Sequence, residues 1–210
     1  MQALDHARYL ALREGAHVLE ADGTGDKVLR LRDGSMLKLF RRKRLITSAA
    51  WYPYARRFAD NCTTLAERAI PCPRVLQVYR IAEIARDAVH YEPLPGKTLR
   101  QLLDDADSND DLRRQLGAFI AQLHDKGVYF RSAHLGNVVL TPEGQLGLID
   151  IADMRTFRRP LRKAQRLRNF KHMLRYQEDR AWLLASDAFA SAYLAAQQVC
   201  SSSELSAALS

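Results

Sequence analysis

The sequence predicts a mixed α+β protein, with strands in its N-terminal part and mainly helices in its C-terminal part. In the first third, apolar and polar residues alternate with a period of two, and turn signals separate the alternating runs. A proline-rich segment then interrupts the chain, and helical periodicity dominates after it. With 210 residues, the chain is long enough for one globular domain or two small lobes.

The N-terminal part is predicted to begin with three short antiparallel strands, at residues 17–21, 27–32 and 35–40. In the middle strand, Leu29 and Leu31 fall on one face and the two arginines between and after them fall on the other. Residues 22–26 form the first predicted turn, and Asp33-Gly34 is a strong hairpin signal for the second.

A helix is predicted next, at residues 54–68, with Phe58, Cys62 and Leu65 on one side. Prolines beyond it prevent its continuation. Two more strands are predicted at residues 74–84 and 87–91. The segment Glu92-Pro93-Leu94-Pro95-Gly96 is too proline-rich for either element, so we expect a linker there, between an N-lobe at residues 1–92 and a C-lobe at residues 93–210.

The C-terminal part is predicted to open with a helix whose apolar face is formed by Leu112, Leu116, Phe119, Ile120 and Leu123. Gly127 is a typical helix stop. A short hairpin, with strands at residues 138–140 and 146–149, follows across the turn 141–144. Residues 161–194 are predicted to be helical.

The net charge of +8 is concentrated in two basic runs, at residues 41–44 and 158–168. Such clusters favour an anionic partner, either nucleic acid, phospholipid headgroups or a phosphorylated glycan, although a solvated basic face explains them equally well. Neither a zinc-ligand spacing nor an aromatic RNA-binding signature accompanies the charge, so we do not expect nucleic acid as the partner.

The sequence favours a cytosolic location. A membrane span needs about 20 mostly apolar residues, and no segment has that character. The N-terminus lacks the apolar core of a signal peptide. The three cysteines are scattered and form no metal-ligand spacing, which fits a reducing compartment.

The most informative segment is the run Phe130-Arg131-Ser132-Ala133-His134-Leu135-Gly136-Asn137, which is followed 13 residues later by Asp150 at the end of an apolar strand. Supporting pieces are Leu94-Pro95-Gly96, Leu123-His124 and the run Ile149-Asp150-Ile151-Ala152-Asp153. In this order and spacing the chain resembles the protein-kinase-like superfamily from about residue 23 to residue 182. It is most similar to the lipopolysaccharide-core (heptose) kinases and toluene tolerance relatives of Gram-negative bacteria.

The resemblance implies a bilobal fold, with ATP and Mg²⁺ as cofactors. Asn137 and Asp150 match the two positions that hold the metal ions in kinases, and Mg²⁺ needs few protein ligands because phosphates and waters supply the rest. Lys38, on the third strand, matches the lysine that contacts the nucleotide phosphates. The resemblance also implies nucleotide contacts at a reduced glycine-rich loop, Gly23 and Gly25, and at Glu92 in the linker.

Each of these residues also has a plain structural explanation. Asn137 fits a turn residue after Gly136, and Asp150 fits a strand-end cap. Lys38 fits a solvated lysine on an edge strand, and the two glycines fit an ordinary turn.

The chain departs from the kinase pattern at several positions. Ser132 stands where kinases have the aspartate that accepts the acceptor's proton, and Phe130 stands where a histidine is usual. The predicted helix offers no glutamate to Lys38, and Asp60 is its nearest acid. Asp153 is a spare carboxylate that could act as the missing base, although a cap on a following helix explains it too.

Three functions are consistent with these residues. The first is an atypical ATP-dependent phosphotransferase acting on a sugar of the lipopolysaccharide core at the cytosolic side of the inner membrane, with the basic clusters contacting anionic glycolipid or membrane. The second is a pseudokinase that acts as a nucleotide-binding scaffold or regulator. The third is a small-molecule kinase of the aminoglycoside or choline type, which the basic run at residues 158–168 argues against.

Overall fold

The computed structural model describes residues 1–41, 52–103 and 110–209, and it confirms the predicted mixed α+β class. The described chain divides into two compact units. The first consists of Met1–Glu67 and Cys72–Leu94, and the second of Arg68–Pro71 and Pro95–Ser210.

The first unit contains one six-stranded sheet in the order β1-β5-β6-β4-β3-β2, in which only β1 and β5 pair in parallel. The strands are β1 (Gln2–Ala3), β2 (His17–Asp22), β3 (Gly25–Arg30), β4 (Met36–Arg41), β5 (Arg74–Ile81) and β6 (Arg86–Glu92). Its helices are α1 (His6–Arg13) and α2 (Tyr54–Glu67).

The predicted strands of this unit are all present, with shifted ends. The strand predicted at residues 74–84 stops at Ile81, because a turn with Ala85 in the left-handed region (φ 51°) leads into β6. Glu92, predicted to lie in the linker, is the last residue of β6. The sequence patterns did not predict β1 and α1, because β1 is exposed and Tyr9 is the one buried residue of α1.

Each face of the sheet has its own apolar layer. On one face, Leu37 and Leu39 of β4 belong to a buried cluster with Tyr9 of α1. Because strand side chains alternate, Lys38 and Phe40 lie on the opposite face. The Phe40 ring stacks at 6.3 Å on Tyr54, the first residue of α2, so this is the face that α2 covers.

The second unit contains two small sheets and six helices in the part of the chain that the structure describes. Its strands are β7 (Lys97–Thr98), β8 (Val128–Tyr129), β9 (Val138–Leu140), β10 (Leu146–Leu148) and β11 (Arg155–Thr156). Its helices are α3 (Leu99–Leu103), α4 (Asp110–Asp125), α5 (Lys163–Met173), α6 (Gln177–Leu183), α7 (Ala188–Ala195) and α8 (Ser202–Leu209).

The five apolar residues predicted to form one face of α4 are all buried. Helix α4 packs closely on α7, since a Cβ atom at Gly117 would lie 2.3 Å from the carbonyl oxygen of Phe189. The helical region predicted at residues 161–194 consists of three helices, α5 to α7. It is interrupted where the chain leaves α5 after Met173 and α6 after Leu183.

The hairpin of β9 and β10 is present and forms a three-stranded sheet with β7. Gly96, just before β7, has φ 126°, and a Cβ atom there would lie 2.1 Å from the carbonyl oxygen of Leu140. Only glycine permits this approach. The Leu94-Pro95-Gly96 segment therefore brings the chain against the hairpin that leads to Asp150.

Candidate active site

The predicted catalytic loop lies between β8 and β9 and is held at its start by α5. The side chain of Asn169 donates to the carbonyl oxygen of Phe130 at 2.7 Å and accepts from the amide of Phe130 at 3.3 Å. Phe130 is buried, so the residue that replaces the usual histidine fills the core instead of making a polar contact. The sequence pattern gave no reason to single out Asn169, which reads as an ordinary polar residue of a basic helix.

The same loop is held at its centre by a buried acid from α6. Asp179 is fully buried and accepts from the amide of Leu135 at 2.9 Å. Both of its oxygens lie 2.8 Å from Nη2 of Arg100, on α3. A buried carboxylate needs such a cation and such a donor, because an unpaired charge in the interior is costly. No sequence pattern points to this pair, since Asp179 looks like a normal acidic residue in a first helical turn.

The structure brings Asn137 and Asp150 together. The amide of Ile149 donates to the carbonyl oxygen of Asn137 at 3.0 Å, and Asp150 is the next residue in the chain after this contact. The Nδ2 atom of Asn137 donates to the carbonyl oxygen of Ser132 at 3.0 Å and lies 3.1 Å from Nε2 of His134. With both amide hydrogens used, the side-chain oxygen of Asn137 is its remaining polar atom, and it makes no hydrogen bond within the described residues.

Asp150 has an unusual backbone conformation for a residue with a side chain. Its φ of 52° and ψ of 46° lie in the left-handed region, and its side chain does not cap the 3₁₀ turn Ile151–Asp153 that follows. Conformations of this kind are uncommon for residues other than glycine, cost free energy and cluster at functional sites. The plain explanation of Asp150 as a strand-end cap is therefore not supported.

Ser132 and Asp153 form a direct pair. The hydroxyl of Ser132 donates to Oδ2 of Asp153 at 2.7 Å. The other carboxylate oxygen, Oδ1, is buried and has no hydrogen-bond partner within the described residues. The alternative explanation of Asp153 as a helix cap is wrong, because the chain continues from this residue into strand β11.

His134 supports Asn137 from the other side of the loop. Burial lowers the pKa of His134, and the nearby charge of Arg100 lowers it further, so the ring is neutral near pH 7. Gly136 allows the close approach of these groups, because a Cβ atom there would lie 3.2 Å from the imidazole and 3.3 Å from the Arg100 guanidinium.

In the first unit, Lys38 lies on an interior strand, between β3 and β6, and not on an edge. It is half-buried, and its ammonium group lies 5.9 Å from the centre of the Phe40 ring. The structure therefore does not support a solvated lysine on an edge strand. Asp60, the nearest acid by sequence, accepts from Tyr52 at 2.7 Å and pairs with Arg56 at 3.1 Å.

The predicted glycine-rich turn is the exposed hairpin between β2 and β3. Cβ atoms added at Gly23 and Gly25 would meet nothing within 4 Å, and Gly25 has φ 116°. The two flanking aspartates are engaged locally. Asp22 accepts from the Thr24 amide at 2.8 Å, and Asp26 pairs with Arg13 at 2.6 Å. Hydrogen bonds from Thr24 lower the pKa of Asp22.

Glu92, predicted to contact the nucleotide, forms an ion pair with Arg74 on the neighbouring strand. The hydrogen bond from Arg74 lowers the pKa of Glu92. Its carboxylate is thus already engaged by a cation of the same sheet, and a nucleotide contact at this residue stays a prediction.

The chemistry of the site fits Mg²⁺ and a nucleotide. An amide oxygen and a carboxylate are hard ligands of the kind that Mg²⁺ prefers, with phosphates and waters completing its shell. Among the described residues, no group of three or more His, Cys, Asp or Glu side chains is placed to hold a metal by itself. Asn137 and Asp150 would thus hold a metal ion that also binds phosphate.

A strand-rich N-terminal sheet, a helical C-terminal part and this loop-and-hairpin site together define a kinase-like phosphotransferase. The model of the APH phosphotransferase enzyme family matches residues 17–199, which is most of the chain, and the chain belongs to this family. A comparison with curated proteins finds no significant match. The resemblance to lipopolysaccharide-core kinases therefore rests on the sequence motifs alone.

The basic runs differ in what the structure describes. Of the run at residues 41–44, all but Arg41 lie outside the described residues. In the run at residues 158–168, Arg166 does not contribute to a basic surface. It is fully buried and pairs with Asp125 at 2.6 Å. A search of the described helices finds none with the length and apolar character of a membrane span.

Proposed function

We propose that the chain is an ATP-dependent phosphotransferase that acts on a sugar of the lipopolysaccharide core, in the cytosol or at the inner face of the inner membrane. The observation that carries the phosphotransfer part is the juxtaposition of Asn137 with Asp150, in its left-handed conformation, within a chain of the phosphotransferase family. The choice of acceptor is supported by the sequence resemblance and by the net charge of +8.

In this proposal Asn137 and Asp150 hold Mg²⁺ through their side-chain oxygens. The MgATP complex supplies the phosphoryl group in an electrostatically activated form. The protein contributes by fixing these ligands. Asn169 holds the start of the loop and Asp179 holds its centre, so the oxygen of Asn137 is oriented before any ligand binds.

The Ser132–Asp153 pair takes the place of the missing catalytic aspartate. A serine hydroxyl alone cannot hold a proton taken from a sugar hydroxyl near neutral pH. The contact of Ser132 with Asp153 provides a path for this proton. The acceptor proton passes to Oγ of Ser132 while the proton of Ser132 passes to Oδ2 of Asp153. General-base assistance of this kind typically contributes about 10²–10⁴-fold.

The test is phosphoryl transfer from ATP to dephosphorylated core oligosaccharide, measured with wild-type protein and with Asp153→Asn. We expect the substitution to lower kcat by about 10²-fold or more, because the amide cannot accept the proton. The matched control is Asp111→Asn, the same chemical change at an exposed residue of α4, which should leave kcat unchanged. Equal activity of wild type and Asp153→Asn would overturn the role of Asp153.

A second candidate is the non-catalytic one, a nucleotide-binding scaffold or regulator. It is supported by Ser132 at the position of the catalytic aspartate and by the engagement of Asp60 with Tyr52 and Arg56. The same assay separates the two. The scaffold requires that ATP binds while no acceptor is phosphorylated, and that Asp153→Asn changes neither observation.

A further inference from the structure

Three arginines from the catalytic loop and from the end of helix α5 form no ion pair with an acid within the described residues. Arg131 is adjacent to Ser132 in the loop, Arg168 lies on α5, and Arg175 lies just after α5. All three are exposed. Some other arginines of this unit are paired, and Arg100 and Arg166 each form an ion pair with an aspartate.

The contacts of two aromatic side chains bring these arginines to the loop. The hydroxyl of Tyr129, two residues before Arg131, lies 3.2 Å from Nε2 of His172 on α5. This contact places the face of α5 that bears Arg168 and His172, one turn apart, beside the start of the loop. Tyr176, next to Arg175, packs edge-on against the His134 ring with 5.0 Å between centroids.

The electrostatics of His172 agree with this arrangement. Burial lowers the pKa of His172, and the charges of Arg131, Arg168 and Arg175 lower it further, whereas Asp153 opposes them. These charge effects have the sign expected for arginines on the side of α5 that contacts the loop.

We propose that Arg131, Arg168 and Arg175 bind an anionic group of the acceptor, a phosphate ester on a sugar, and so position a neighbouring hydroxyl at Ser132. Guanidinium groups recognise phosphate oxygens through paired hydrogen bonds, and exposed arginines from the loop and from the neighbouring helix can contact one phosphate together. This inference rests on the proposed phosphotransferase function and names its substrate class. An acceptor that carries positive charge would be repelled at the same place.

The test measures binding and not turnover, so that it does not depend on catalysis. Mannose 6-phosphate and uncharged mannose are titrated into the full-length protein without nucleotide, at fixed ionic strength, by calorimetry. We expect the phosphate ester to bind and mannose not to bind. Arg168→Ala and Arg175→Ala should each raise the Kd about tenfold, and added salt should weaken binding.

The matched control is Arg114→Ala, which removes the same charge from an exposed position on α4 and should leave the Kd unchanged. An equal loss with Arg114→Ala would mean that net charge alone attracts the ester, and it would overturn the site. A loss with Lys38→Ala but not with the two arginine variants would place the ester with the nucleotide phosphates and would also overturn it.

Vesicles of phosphatidylglycerol provide the remaining arm, because a lipid headgroup carries the same phosphate chemistry. Vesicle binding that depends on Arg168 and Arg175, with no binding of mannose 6-phosphate, would make this a membrane contact and contradict the acceptor site. If the arginine variants lose the ester while the core oligosaccharide is not phosphorylated by the wild type, the anion site stands and the proposed acceptor falls.

Discussion

At the residue scale, the contact between Ser132 and Asp153 places a carboxylate beside the serine that stands where kinases have an aspartate. The hydroxyl and the carboxylate are 21 residues apart in the chain and 2.7 Å apart in space. The buried oxygen Oδ1 of Asp153 accepts no hydrogen bond in the part of the chain that the structure describes, so half of this carboxylate lacks a polar partner there.

This geometry leads to a prediction for Ser132→Asp, the change that would restore the usual kinase residue. A second carboxylate would stand within hydrogen-bonding distance of Asp153, and like charges this close raise the pKa of one of the pair. We expect no gain in ATP-dependent turnover and a lower thermal stability than the wild type.

The comparison variant is Ser132→Ala, which removes the hydroxyl without adding charge and should retain the wild-type melting temperature within a few degrees. The measurement is turnover together with thermal unfolding. A rise in kcat with Ser132→Asp would show that the site lacks only the usual base, and it would refute the role given to Asp153.

At the scale of elements, the sequence predicted those whose signal is local. The face of α4 and the hairpin of β9 and β10 were correct, because helical periodicity and turn chemistry are read directly from neighbouring residues. Helix α1 was missed because a short surface helix with one buried residue has little apolar pattern. The helical region at residues 161–194 was correct in type, but its interruptions depend on tertiary packing.

The candidate site divides in the same way. Asn137 and Asp150 could be proposed from the sequence because their spacing is a sequence property, and Lys38 because it lies between apolar neighbours on a strand. Asn169, Arg100 and Asp179 were not found, since each acts through a contact about 35–80 residues away along the chain, and such contacts exist only once the helices have packed.

The contact between α4 and α7 gives a prediction about packing. In Gly117→Ala, the new Cβ would lie 2.3 Å from the carbonyl oxygen of Phe189, so the helices must separate. Overpacking typically costs about 1–3 kcal/mol. When the helices must shift far, this cost exceeds the roughly 1 kcal/mol that alanine gains over glycine in helix propensity, so Gly117→Ala should be less stable than the wild type.

Denaturant unfolding is the measurement. Gly23→Ala is the control, because an added Cβ there meets nothing within 4 Å and its stability should match the wild type. A Gly117→Ala variant more stable than the wild type would mean that α4 and α7 are less closely packed than described.

At the scale of the whole molecule, one buried and two half-buried histidines contribute to how the fold responds to acid. Burial lowers the pKa of His124 to about 3, and its ring nitrogens lie 3.0 Å from the Tyr193 hydroxyl and 3.3 Å from Oδ1 of Asn169. Burial also lowers the pKa of His134 and of His172. All three shifts have the same sign, so the folded protein binds fewer protons than the unfolded chain in mild acid.

Stability should therefore fall as the pH decreases below about 6.5, the ordinary histidine pKa. His124 alone would account for about 2 kcal/mol between pH 6.5 and pH 5. In His124→Gln this loss should be smaller by that amount, although the variant starts from a lower stability. Urea unfolding at several pH values measures the slope. His6→Gln, at an exposed residue, should keep the wild-type slope. An unchanged slope in His124→Gln would contradict the assignment.

In the proposed function, Asn137 and Asp150 hold the magnesium ion on which nucleotide binding and phosphotransfer depend. The most direct measurement is thermal unfolding with ATP, with and without Mg²⁺, for the wild type, Asp150→Asn and the control Asp111→Asn. At about 100 times its Kd, MgATP should stabilise the wild type and the control by about 2.7 kcal/mol, and ATP without Mg²⁺ should stabilise them much less. Asp150→Asn should lose the magnesium-dependent part. Full magnesium-dependent stabilisation of Asp150→Asn, or none in the wild type, would contradict the claim.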